Sequence, residues 1–309
     1  MSEKVAFAII LAFVISFSIF TYVQSEIFVE PSPQNDFYSK NFDNSKSKIL
    51  LIGSSYVGML NATVLENTIK KTHSEIQVFN LAKPGDKPKD RLPEIEKILK
   101  LEPEIVVYGI GFRAFSSEFY VDNGKVLPDP EAAADDFFNS LEIDFLENPK
   151  FNTLSLLRDQ TNIGTQNLKQ SNTPFFDYTL PMYKTNPSLI SDKHVHDGWV
   201  RQIPPIQENI QYDSLKKIIS KLNQNGVKVI IFVTPHNHST IDSLSNIDKE
   251  NFQKIISEIE SNQNIPVYSL LQNYSNLDVW TSPDHITISK KGYIFIEDVS
   301  KFILKEMSQ

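Results

Sequence analysis

Apolar residues recur along this chain in two alternating rhythms. Short unbroken runs are separated by longer stretches in which apolar side chains return at helical spacing. The runs Ile49–Ile52, Ile76–Asn80, Ile105–Tyr108, Val227–Val233 and the short Pro266–Tyr268 predict five strands. Helical spacing covers Val57 to Lys71, then Leu92, Ile95, Ile98 and Leu99. It returns at Leu215, Ile218, Ile219 and Leu222, with Asn225-Gly226 as a stop, and again at Phe252, Ile255, Ile256 and Ile259. A last helix is predicted over Tyr293 to Met307. This alternation predicts an α/β protein, a three-layer α/β/α sandwich around a mostly parallel five-stranded sheet.

Residues 116–205 break the rhythm. They hold an acidic helical stretch, Glu131 to Glu147, and a segment rich in Pro, Asn and aromatics, Phe175 to Pro205. An insertion after the third strand falls at the carboxyl edge of a parallel sheet, so it reads as a lid or substrate-shaping cap. Phe175, Phe176, Tyr178, Tyr183 and Trp199 serve either core packing or stacking on sugars.

The N-terminal pattern is different again. Val5 to Val23 carry no charge. At about 1.5 Å per residue such a stretch spans roughly the 30 Å hydrocarbon core, which predicts a transmembrane helix in the lipid bilayer through residues 5–23. A cleaved signal peptide ending before Glu26 is the alternative. Lys4 precedes the span, and Glu26, Glu30 and Asp36 follow it. The positive-inside rule then gives a single-pass cell-membrane protein, N-terminus cytoplasmic and main domain extracytoplasmic. The predicted organisation is an anchor or signal segment at 1–25, a polar linker at 26–46, and a domain at 47–309.

Composition narrows the function classes. The 309 residues carry 38 acidic and 30 basic side chains, a net charge of −8. No nucleic-acid partner is expected, since sequence-independent binding needs a basic footprint. There are no cysteines, which removes disulfides, zinc–thiolate sites and thiol nucleophiles. His194-Val195-His196-Asp197 has a spacing seen in some metal sites, but no third ligand is identifiable, so no metal is predicted.

The candidate chemistry lies where strands end. Gly53-Ser54-Ser55 breaks the first strand, and Ser55 is either a nucleophile or a helix cap. Asn80 to Asp86 leaves the second strand, Gly109 to Arg113 the third, and Ser282 to Tyr293 precedes the last helix. In a parallel sheet all of these meet at one edge. Acyl transfer needs a nucleophile, a base, a carboxylate to orient the base, and oxyanion donors. Ser55, His285, Asp284 and turn N–H groups match that list. His236 and His238, in Pro235-His236-Asn237-His238 after the fourth strand, are further candidates for a base or a substrate contact.

These blocks resemble the SGNH/GDSL hydrolase superfamily, in particular its membrane-anchored cell-surface members, over the whole of residues 47–309. Gly53-Ser54-Ser55 stands where the family has Gly-Asp-Ser. Val78-Phe79-Asn80-Leu81 through Gly85 is similar to the second block, Glu104 to Arg113 to the third, and Asp284 to Tyr293 to the last. The resemblance implies a flavodoxin-like sandwich, Ser55 as nucleophile, Asp284 with His285 as relay, and Gly85 as an oxyanion donor. Arg113 falls at the oxyanion asparagine position and Thr287 at the histidine position counted back from Ser289 and Gly292. Threonine is no general base near neutral pH. The implied activity is that of a serine esterase or O-acyltransferase on acetyl-like esters of surface glycans, with no cofactor. The alternative is a catalytically degenerate relative with a binding or scaffolding role in the cell envelope.

Overall fold

The computed structural model describes residues 37–39, 42–43, 45–117, 120–122, 125–127, 172–176, 202–263, 265–282 and 285–308. The chain divides into two compact units, Met1–Asn41 and Phe42–Gln309, and the second holds the sheet. Its strands, in chain order, are β1 (Ser47–Gly53), β2 (Ile76–Asn80), β3 (Ile105–Ile110), β4 (Tyr120–Asp122), β5 (Lys125–Leu127), β6 (Lys228–Val233), β7 (Val267–Ser269), β8 (Trp280–Ser282) and β9 (His285–Ile286).

Five of these form one sheet in the order β2-β1-β3-β6-β7, with every pair parallel. Among these five this is the doubly-wound, flavodoxin-like order, and its topological switch lies between β1 and β3. The sheet is wholly rather than mostly parallel. Both faces are covered: β1 is buried from Lys48 to Gly53 and β3 along its full length. That burial explains the unbroken apolar runs, because a parallel strand with helices on both sides has no solvent face. Ile49, Leu51, Val107, Ile230 and Phe232 meet Phe295, Val299 and Ile303 of the last helix in one core.

Two helices depart from the expectation. The stretch Val57 to Lys71 is two helices, Ser55–Gly58 and Ala62–Ile69. Asn61 starts the second, its side chain accepting from Val64 N at 3.1 Å, so an internal cap restarts the helix. The stretch around Leu92 to Leu99 is a Pro88–Arg91 helix, a 3-10 turn and an Ile95–Leu99 helix. Pro93 cannot donate the i→i−4 bond that would keep it continuous. Elsewhere the expected elements form. Ile210–Gln224 starts on the Asn209 cap and stops at Gly226, whose φ of 74° lets Val227 N reach Leu222 O at 3.1 Å.

Within the 116–205 insertion, β4 and β5 form an antiparallel pair, and Phe176 packs on Met59. The stretches Glu131–Glu147 and His194–Asp197, and the residues Tyr178, Tyr183 and Trp199, lie outside the described residues. Among those residues no helix is long and apolar enough to cross a membrane; residues 5–23 are not among them.

Candidate active site

The nucleophile turn begins with two close approaches. Gly53 has φ 142°, and a Cβ there would lie 2.5 Å from Gly109 O and 2.7 Å from Val57 Cγ2. Its register partner on β3 is Gly109, where a Cβ would lie 2.3 Å from the same Val57 methyl. Two facing glycines therefore let the Ser55–Gly58 helix drop onto the end of the sheet. Ser54 N-caps this helix without a side-chain bond, its carbonyl accepting from Val57 N at 3.0 Å and Gly58 N at 3.1 Å. Ser55 is thus the first helical residue, not the cap, and its hydroxyl is free for other work.

That hydroxyl meets a histidine. Ser55 Oγ and His285 Nε2 are 2.8 Å apart, and the two residues are 8% and 2% exposed. A neutral His285 with its proton on Nδ1 accepts the Ser55 O–H in this geometry. His285, one of the three histidine candidates, is the one that reaches Ser55, although the motif count places Thr287 at the histidine position. His285 lies on β9, which pairs with β8 across an irregularity between Trp280 and Ser282. Positions 285 and 287 are two apart in an extended segment, so a shift between them keeps the same face. Thr287, which the count back from Ser289 and Gly292 had pointed to, is engaged in its own turn: its N–H donates to Val279 O at 2.7 Å and its Oγ1 accepts from Ser289 N at 3.2 Å. Gly292 is needed beside it, since a Cβ there would lie 1.7 Å from Thr287 O. Asp284 lies outside the described residues.

Aromatic rings support the pair. Tyr56 stacks on His285 with centroids 5.4 Å apart and an interplanar angle of 27°. Its other neighbour is His236, edge-on at 4.9 Å. His236 is buried over Gly111, 4.8 Å from the Phe112 ring, with Nε2 3.5 Å from Thr234 Oγ1. It stands one ring away from the Ser55–His285 contact, beside the site rather than as the serine's base. His238 is exposed, and its Nδ1 faces Ser275 O at 3.3 Å. Arg113 is exposed on the 3-10 turn Phe112–Phe115 that follows β3.

Gly85 occupies a tight turn two residues beyond Lys83, whose N–H bonds the Gly53 carbonyl of the nucleophile turn. The chain leaving β2 continues along β1, with Leu81 N donating to Leu51 O at 2.8 Å and Lys83 N to Gly53 O at 3.0 Å. Asp86 N then returns to Lys83 O at 3.2 Å across Pro84 and Gly85, and Gly85 has φ 70°. Pro at the second position and a positive φ at the third define a type II turn. Among the described residues, no atom beyond its chain neighbours lies within 4 Å of a Cβ built at Gly85, and the backbone angle demands glycine.

Sequence reasoning missed two residues that hold this geometry. Asn80, fully buried at the end of β2, donates Nδ2 to Val57 O and Leu60 O, both at 2.8 Å, and accepts Ala82 N at 3.1 Å. It binds the end of the serine helix to the start of the Gly85 turn. The signal was visible as an Asn closing an apolar strand. Arg91 is the second, buried beneath that turn among Asp86, Glu94 and Leu81 O. Burial pushes the Asp86 carboxyl up to about 6, against the opposing charge of Arg91. A lone Arg in a helix carries no sequence mark of burial. Among the described residues no group of His, Asp and Glu is arranged to hold a metal ion.

No family model matches the chain, and no curated protein does either. Solved structures do. An acetyl xylan esterase is 12% identical, with 84% of this chain and 98% of that one covered, at a TM-score of 0.43. The psychrotrophic esterase EstA of a Pseudoalteromonas species is 12% identical, with 85% and 100% covered, also at 0.43. A GDSL-like lipase from Bacteroides thetaiotaomicron is 11% identical, with 89% and 96% covered, at 0.41. The likeness is to two esterases and a GDSL-like lipase.

Proposed function

We propose that this chain is a membrane-anchored, extracytoplasmic serine esterase or O-acyltransferase acting on acetyl-like esters of surface glycans. The observation that carries the reading is the buried 2.8 Å contact between Ser55 Oγ and His285 Nε2 at the carboxyl edge of the sheet. In the reaction His285 takes the Ser55 proton as Oγ attacks the ester carbonyl carbon. The N–H groups of Ser55 and Gly85 meet the charge that develops on the carbonyl oxygen. The intermediate collapses, and the departing alkoxide takes the proton from His285. Water, or a second sugar hydroxyl, then gives its proton to His285 as it attacks the acyl carbon; the bond to Ser55 Oγ breaks, and Oγ takes the proton back from His285. The resemblance implies Asp284 as the carboxylate that orients His285. The uncharged Val5–Val23 stretch supports the anchor, and the resemblance to cell-surface members of the family supports the glycan substrate.

Labelling by a serine-directed fluorophosphonate tests the reading. The parent protein labels, Ser55→Ala does not, and His285→Ala labels about 10²–10⁴-fold more slowly, the range expected for loss of a general base. A parent that labels no better than Ser55→Ala refutes the nucleophile and leaves the binding-only relative as the surviving reading.

A further inference from the structure

One guanidinium controls the turn that carries Gly85. Arg91 is 0% exposed. Its Nη2 donates to Leu81 O at 3.0 Å, two residues before the turn. Its Nε and Nη2 donate to Asp86 Oδ2 at 2.8 and 2.5 Å, where the turn ends. Its Nη1 donates to Glu94 Oε2 at 3.1 Å, and Glu94 also pairs with Lys83, the first residue of the turn. Leu81, Lys83 and Asp86 are therefore tied to Arg91 directly or through one carboxylate, with Pro84 and Gly85 held between them.

Stability alone is a poor account of this arrangement. Desolvating a guanidinium and two carboxylates is costly, and apolar side chains of similar volume often stabilise a fold as well. What the pairing supplies is direction, because the planar fork of Arg fixes several acceptors at once. We infer that Arg91 is a positioning residue for ester cleavage, holding the Leu81–Asp86 segment so that Gly85 N–H meets the carbonyl oxygen as it becomes charged. The inference rests on the assignment of Ser55 as nucleophile and Gly85 as oxyanion donor. A donor that acts as charge develops contributes to the transition state more than to substrate binding, so its misplacement lowers kcat and leaves KM.

The test uses the full-length chain in detergent with p-nitrophenyl acetate. Fluorophosphonate titration counts competent sites, and thermal unfolding is followed in parallel. Arg91→Lys keeps the charge and loses the fork; Glu94→Gln weakens the tie to Lys83 from a side chain that is 20% exposed. Both are expected to lower kcat per titrated site about 10-fold or more, within the roughly 10²-fold that a 1 Å misplacement costs, with KM nearly unchanged. A merely structural role lowers the unfolding midpoint and the number of titratable sites but leaves kcat per site at the parent value, and that result overturns the inference. If Arg91→Lys does not fold, Glu94→Gln decides by the same criterion. A parent that neither turns over the ester nor labels removes the serine assignment itself, a failure distinct from an active parent whose variants match it, and the inference falls with it.

Discussion

Replacing Asn80 by alanine tests the link between packing and site geometry. The amide donates to Leu60 O and Val57 O and accepts from Ala82 N. Val57 O keeps a second donor, Leu60 N at 2.9 Å, so the substitution orphans two groups, Leu60 O and Ala82 N. Each buried group left without a partner costs about 1–3 kcal/mol, which makes about 2–6 kcal/mol for the pair. Against a total stability of about 5–15 kcal/mol for a domain, that is a large fraction. Urea unfolding followed by tryptophan fluorescence reads the loss as a lower midpoint at unchanged slope. The same substitution frees the end of the Ser55–Gly58 helix, so labelling of folded protein by fluorophosphonate is expected to slow about 10-fold or more. A loss under about 1 kcal/mol with parent-like labelling would refute the reasoning: Leu60 O and Ala82 N would then be served by water, and Asn80 would hold nothing.

Two further outcomes follow from the same region. Gly109→Ala places a methyl 2.3 Å from Val57 Cγ2 and 2.7 Å from Phe232 Cζ, so it displaces the serine helix. A stability loss of about 1–3 kcal/mol and slower labelling are expected, and parent values for both would show that the close approach is dispensable. Asp86 supplies a pH dependence. Lys83, Arg91 and Glu94 face its carboxyl, and the buried Tyr108 lies within their field. Its folded pKa of about 6 lies above the ordinary aspartate value of 3.8, so the folded state binds the extra proton between them. The stability this contributes is complete below pH 3.8 and is lost as pH rises through about 6. Measured from pH 4 to 7, the stability of the parent relative to Asp86→Asn should therefore fall; a rise, or no change, contradicts the assignment.

Much of the layer architecture was legible in the chain. The runs at Ile49, Ile76, Ile105 and Val227 became strands of one parallel sheet because burial on both faces writes itself as unbroken hydrophobicity. The last helix, Tyr293–Met307, kept its predicted bounds, since a long amphipathic period overrides local accidents. Less legible were breaks that depend on a single residue: the Asn61 cap and Pro93 each divided a stretch whose period read as continuous.

The sequence by itself determined the alternation of elements, the carboxyl-edge location of the Gly53-Ser54-Ser55 turn, and the need for glycine at Gly85 once Pro84 precedes it. These follow from periodicity and from backbone angles, which are properties of neighbours along the chain. Only the tertiary structure decided which imidazole reaches Ser55. The motif count pointed at Thr287, while the β8–β9 pairing delivered His285, because strand register is set by contacts between segments far apart in sequence. The same holds for Asn80 and Arg91. Their residue types give no sign of what they bind; their partners become neighbours only when β2, the serine helix and the Gly85 turn pack together.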